Sequence, residues 1–219
     1  MINVTGQQNL LLNIARKLPK KITVYAVGGT AMMFHGFKDV TLDIDLVFTS
    51  EEDRNAFKSI AEELEYKRYD HKLVYGTKSN PPLMLRRGKG EEEERFDLFT
   101  IDVIDFVFSE EMMKRAKDTY EFDHKLILKI ADPHDIILMK CATERVKDKD
   151  DARQIMNNSK LNWQIIIDEA LNQIKLGRTK AIWYLTGFVT DVKKIGGNIP
   201  SDVLPKLYKL LEKQGDTKS

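Results

Sequence analysis

Ile22-Thr23-Val24-Tyr25-Ala26-Val27-Gly28-Gly29-Thr30-Ala31, followed closely by Leu42-Asp43-Ile44-Asp45-Leu46-Val47-Phe48, decides how this chain is read. In the first run Ile22, Val24 and Ala26 alternate with Thr23, Tyr25 and Val27, the period of a β-strand, and the strand stops at Gly28-Gly29. Thr30 to His35 then reads as a short helix closed by Gly36. Leu42 to Phe48 reads as a second strand. Because residues two apart on a strand share a face, Asp43 and Asp45 project together, while Leu42, Ile44 and Leu46 are expected in the core.

Two carboxylates side by side repel, and one would protonate unless a cation intervened. A divalent ion with hard oxygen ligands removes that penalty, as in two-metal phosphoryl-transfer sites. A lone Asp-x-Asp is more often a solvated strand face. Here a glycine turn stands just upstream, where backbone N–H groups can approach a phosphate, and the combination favours a site.

The stretch Gly28-Gly29-Thr30-Ala31, His35-Gly36, Thr41 and Asp43-Ile44-Asp45-Leu46 resembles the nucleotidyltransferases of the DNA polymerase β-like superfamily, most closely those grouped with AbiEii-type toxins. The resemblance implies a nucleotidyltransferase-fold mixed sheet flanked by helices (an α/β, or α+β, class) with a C-terminal helical bundle. It implies Mg²⁺ on Asp43, Asp45 and a third carboxylate, and nucleotide phosphates at Gly28, Gly29, Thr30 and Thr41. Asp97, in Arg95-Phe96-Asp97-Leu98-Phe99, is the preferred third carboxylate. Asp102, in Ile101-Asp102-Val103, has a similar pattern and competes with it.

A second block, Asp132-Pro133-His134-Asp135 through Lys140 to Arg145, Lys147, Asp148 and Asp151, looks like the family's helix that brings a lysine to the phosphates. It implies catalytic and nucleotide-binding roles for Lys140 and a nucleotide-binding role for Arg145. As one helix it would set Lys140, Glu144, Lys147 and Asp151 on a single polar stripe. An exposed, salt-bridged face is the alternative for all but Lys140, which ends an apolar run and needs a partner. The sequence departs from the family where an arginine often precedes the Thr-x-Asp-x-Asp run: Asp39 stands there, beside Lys38. His35 reads as a cap rather than a base, and Trp163 and Trp183 as core.

Periodicity supplies the remaining elements. Helices are expected over residues 6–18, 51–66 and 109–117, and strands at Leu73 to Tyr75, Leu83 to Arg86, Phe96 to Val103 and Lys125 to Ile130. The Glu91 to Glu94 run reads as a solvated hairpin tip. A long helix should start at Pro133, and three more at Leu161 to Leu176, Thr179 to Ile195 and Ser201 to Gln214. The expected division is a nucleotidyltransferase domain over 1–158 and a helical module over 159–219.

Lys and Arg (35) nearly balance Asp and Glu (34), for a formal net charge of +1 over 219 residues, so no global field recruits nucleic acid. The single cysteine, Cys141, excludes an intrachain disulfide and a multi-cysteine zinc site. No signal peptide or membrane-spanning run is read, and a cytoplasmic setting is expected. The functional expectation is Mg²⁺-dependent transfer of NMP from an NTP to an acceptor hydroxyl on RNA (tRNA included) or protein, as the toxin of a toxin–antitoxin pair, with an antitoxin protein as partner. The alternatives are a catalytically silent regulatory or binding module and a small-molecule transferase of the aminoglycoside-modifying kind.

Overall fold

The computed structural model describes residues 1–90, 93–143 and 145–216. They form two compact units, Met1–Asp132 and Pro133–Ser219. The division falls earlier than the 158/159 boundary expected from composition, because the two helices after Pro133 pack on the helices that follow them.

Unit one is a mixed α/β structure. Its strands are β1 (Ile2–Asn3), β2 (Ile22–Ala26), β3 (Val40–Thr41), β4 (Asp43–Phe48), β5 (Lys67–Tyr69), β6 (Leu83–Arg87), β7 (Glu94–Thr100), β8 (Asp102–Val103), β9 (Phe106–Val107), β10 (Thr119–Phe122) and β11 (Leu126–Ile130). Its helices are α1 (Val4–Lys17), α2 (Gly28–Phe34), α3 (Glu51–Glu63), α4 (Lys72–Tyr75) and α5 (Glu110–Arg115). Among the described residues the main sheet has seven strands in the order β10-β11-β2-β4-β7-β6-β5. β4 runs parallel to β7 and antiparallel to β2, which places two strands from distant parts of the chain side by side.

Helices α1 and α3 start where the chain supplies caps: the Asn3 side chain accepts from Gly6 N, and Ser50 Oγ accepts from Asp53 N. Glu51, Glu52 and Asp53 in the first turn of α3 also suit the helix dipole. Under α3 the rings of Phe48, Phe57, Phe96 and Tyr66 stack edge-on or tilted, and all four are essentially buried. Truncating one such ring costs about 3–5 kcal/mol. Ile44, Leu46, Phe96 and Leu98 are buried; by strand alternation Asp43, Asp45 and Asp97 project to the opposite face of β4 and β7.

Several local expectations are corrected. Leu42 is exposed rather than in the core, because β4 begins one residue later. Leu73–Tyr75 is a helical turn, not a strand: Asp70 accepts from Lys72 N, and Gly76, at φ +58°, closes the turn on Lys72 O. So short an apolar run carries too little periodicity to separate the two. The strand expected from Phe96 to Val103 ends at Thr100, and β8 turns into a small hairpin with β9. Glu94 is no solvated tip; it lies in β7, with its carboxylate taking Arg87 and the Tyr66 hydroxyl. Glu91 and Glu92 lie outside the described residues.

Unit two is helical: α6 (Pro133–Lys140), α7 (Val146–Asn158), α8 (Trp163–Lys175), α9 (Ala181–Lys194) and α10 (Val203–Asp216). The expected long helix from Pro133 is broken between Lys140 and Val146. The polar stripe drawn along it does not exist, and its Glu144 lies outside the described residues. In one continuous helix Asp148 and Asp151 would stand about 12 and 16 Å along the axis from Lys140. The break folds α7 back so that both carboxylates reach the buried Lys140 ammonium, at 2.8 and 2.7 Å. Trp163 is core, but Trp183 is 61% exposed, correcting its assignment to the core. It stands on the rim of a cavity of about 580 Å³ lined also by Tyr184, Phe188 and Tyr208. Among the described residues no helix is long and apolar enough to cross a membrane.

Candidate metal centre

The parallel pairing of β4 and β7 sets Asp43 opposite Arg95 and Asp45 opposite Asp97. Partners in register share a face, so the four side chains form a square on one side of the sheet. The carboxylates of Asp43, Asp45 and Asp97 offer ligand atoms that all lie within 4.8 Å of one another. Asp97 joins the pair; Asp102 stands apart in the β8–β9 hairpin.

Each carboxylate is held by named donors. Thr41 Oγ1 donates to Asp43 Oδ1 at 3.1 Å, and the Gly29 amide donates to Asp45 Oδ2 at 3.2 Å. Arg95 spans two of them, through Nη2 to Asp43 Oδ2 and through Nε to Asp97 Oδ1 at 3.1 Å. The Tyr75 hydroxyl takes Asp97 Oδ2 at 2.6 Å. Asp97 is wholly enclosed. Burial, then the charge of Asp43, pushes its pKa up to about 6 against the opposing effect of Arg95 and Tyr75. Burial and the Asp97 charge likewise raise the Tyr75 phenol. Burial works against the Arg95 charge, but Asp97, Asp43 and Asp45 outweigh it and its pKa stands above the ordinary value.

The glycine turn is built against the acids. Gly28 has φ +53°, and a Cβ there would sit 2.6 Å from Asp45 Oδ2. A Cβ on Gly29 would meet Thr41 Oγ1 at 2.7 Å. Thr30 is fully buried and its hydroxyl accepts the Asp45 N–H at 2.8 Å, so this side chain fastens α2 to β4. His35 ends α2, with Nε2 2.9 Å from the Ala131 carbonyl, a structural tie.

In unit two, Lys140 is paired with Asp148 and Asp151 inside its own helices. Arg145 caps α7, its Nε 2.7 Å from Asp148 Oδ2.

Sequence reasoning passed over Arg95 and Tyr75. Arg95 had a signal: it precedes Asp97 by two on one strand and so must share its face. Tyr75 had none, since its reach depends on a helical turn read as a strand.

No protein-family model matches the sequence, and no curated protein matches it. Among solved structures, the crystal structure of JHP933 from Helicobacter pylori is similar over 98% of this chain and 97% of that chain, at 14% identity and a TM-score of 0.43.

The donor set fits a hard divalent cation. Three carboxylates and one guanidinium sum to a formal −2 when all are ionised, in a setting that is largely closed to water. A divalent ion with oxygen ligands offsets that charge.

Proposed function

We propose that this protein is a Mg²⁺-dependent nucleotidyltransferase that moves NMP from an NTP to an acceptor hydroxyl. The observation that carries the reading is the convergence of Asp43, Asp45 and Asp97 from two parallel strands, beside a glycine turn packed against Asp45. The likeness of Gly28-Gly29 and Asp43-Ile44-Asp45 to DNA polymerase β-like nucleotidyltransferases supports it.

Asp43, Asp45 and Asp97 are the residues that would hold the metal, which when bound neutralises triphosphate charge and polarises the acceptor oxygen. Thr41 and the Gly29 amide keep the Asp43 and Asp45 carboxylates aimed at one point. Asp97, buried beside the other two acids, would help hold the metal that lowers the acceptor hydroxyl's pKa, or take its proton. The freed oxygen then attacks the α-phosphorus, the bond to the bridging oxygen breaks in line, and pyrophosphate leaves. Lys140 and Arg145 are not needed for this scheme. A cytoplasmic setting, with RNA, protein or a small molecule as acceptor and an antitoxin as partner, belongs to the same proposal.

One observation favours the rival reading of a catalytically silent module: Arg95 already pairs with two of the three acids. The discriminating experiment is incubation with α-labelled NTPs and Mg²⁺ in the presence of cellular RNA, protein and small-molecule fractions. The nucleotidyltransferase reading expects label in one fraction, dependent on Mg²⁺. No label in any fraction favours the silent module.

A further inference from the structure

We propose that Arg95 is the built-in counterion of the acidic site, a positioning residue that holds Asp43 and Asp97 together and competes with a divalent cation for them. The inference rests on reading the three carboxylates as a divalent-cation site, and it concerns how that site is filled.

The backbone register puts Arg95 where it must meet the acids. It is the β7 partner of Asp43 and lies two residues before Asp97, so both neighbours share its face. Its guanidinium does not chelate one carboxylate; the fork is divided, Nη2 on Asp43 and Nε on Asp97. The remaining oxygen of each acid takes a hydroxyl, Thr41 on Asp43 and Tyr75 on Asp97. Both oxygens of both carboxylates therefore carry a donor. The Arg95 side chain is only 12% exposed, so it belongs to the interior of the site rather than to its mouth.

A planar fork with fixed donor directions is what allows one cation to span two carboxylates, and an ammonium on a flexible stem lacks that geometry. The same geometry works against a metal. A divalent ion between Asp43 and Asp97 draws on the oxygens that Arg95 holds, and two cations at that spacing repel strongly in an enclosed site. Arg95 thus has opposite effects in the two states. Without a divalent ion it relieves the repulsion between buried acids; with one present it weakens binding, unless the guanidinium swings aside.

The test uses full-length wild type, Arg95→Gln and Arg95→Lys, with Mn²⁺ titrated calorimetrically without nucleotide and melting followed in EDTA and in Mn²⁺. Arg95→Gln should melt lower than wild type in EDTA, bind Mn²⁺ about tenfold more tightly or better, and gain more in Tm from the ion. Arg95→Lys, which keeps the charge without the fork, should fall between them. A glutamine variant that folds only in Mn²⁺ and unfolds on chelation also supports the proposal. If it folds in neither condition, Arg95→Lys decides, by binding Mn²⁺ more tightly than wild type or not. Wild type that binds Mn²⁺ with variants that bind equally or less tightly would overturn the counterion role and leave the proposed function standing. No Mn²⁺ binding by any of the three would overturn both.

Discussion

Asp45 and Asp97 are direct register partners across the parallel β4–β7 pair, although 52 positions separate them in sequence. Their carboxylates, with that of Asp43, meet within 4.8 Å. The first prediction concerns Asp43→Asn and Asp45→Asn. The amide keeps the shape but loses the charge that binds a divalent ion, so transfer should fall by about a thousandfold or more, on the order of 4 kcal/mol in the barrier. In Asp45→Asn melting in EDTA should be unchanged or slightly raised, because a like charge has been removed from a crowded site; Asp43→Asn also weakens the Arg95 ion pair and should show no such gain. Substantial activity in either variant would remove these residues from the mechanism.

The second prediction separates the two candidate third carboxylates. Asp97→Asn should lower kcat by orders of magnitude with little change in NTP affinity, since its work is done in the transition state. Asp102→Asn should leave both near wild type. Steady-state kinetics with a separate NTP-binding measurement decides it, and the reverse pattern would relocate the site to the β8–β9 hairpin.

Much of this was legible in the sequence. The period-2 run at Asp43–Phe48 and the apolar-Asp-apolar pattern at Asp97 show strand and face, and with them the acids of the candidate site, because strand alternation is a local property. What was not legible depends on contacts between distant residues. The pairing of β4 with β7 that makes Arg95 a neighbour of Asp43 is a matter of register. The helical turn that delivers Tyr75 is too short for periodicity to show. Lys140, at the end of an apolar run, needs a partner, but its pairing with Asp148 requires a helix break that a regular polar stripe conceals.

Two glycine substitutions should move stability in opposite directions. Gly28→Ala places a Cβ against the Asp45 carboxylate at positive φ, and should destabilise by about 1–3 kcal/mol while displacing the acid. Gly187→Ala, in the interior of α9 with open space around the new methyl, should stabilise the helical unit by about 0.5–1 kcal/mol. Urea denaturation followed by circular dichroism measures both. A neutral Gly28→Ala would mean the turn tolerates a side chain beside the acids.

Acid stability should reveal the Lys140 cluster. Burial opposes ionisation of Asp148, but Lys140 and Arg145 outweigh it and hold its pKa down at about 2. A folded pKa below the unfolded one means that the ion pair's contribution is complete above the ordinary carboxylate range. It is lost as pH falls from about 4 towards 2, by about 2 kcal/mol. In Asp148→Asn the helical unit should be less stable at neutral pH by about 3 kcal/mol and should lose less on acidification. Equal pH profiles for wild type and variant would show that the pair contributes nothing.

The most direct measurement of the central claim is a crystal structure with Mn²⁺ and a non-hydrolysable NTP analogue, using the anomalous signal to place the metal. Mn²⁺ is expected between Asp43, Asp45 and Asp97, with the analogue's phosphates completing its coordination beside Gly28-Gly29. Nucleotide bound elsewhere, or no anomalous peak within coordination distance of these three carboxylates, would contradict it.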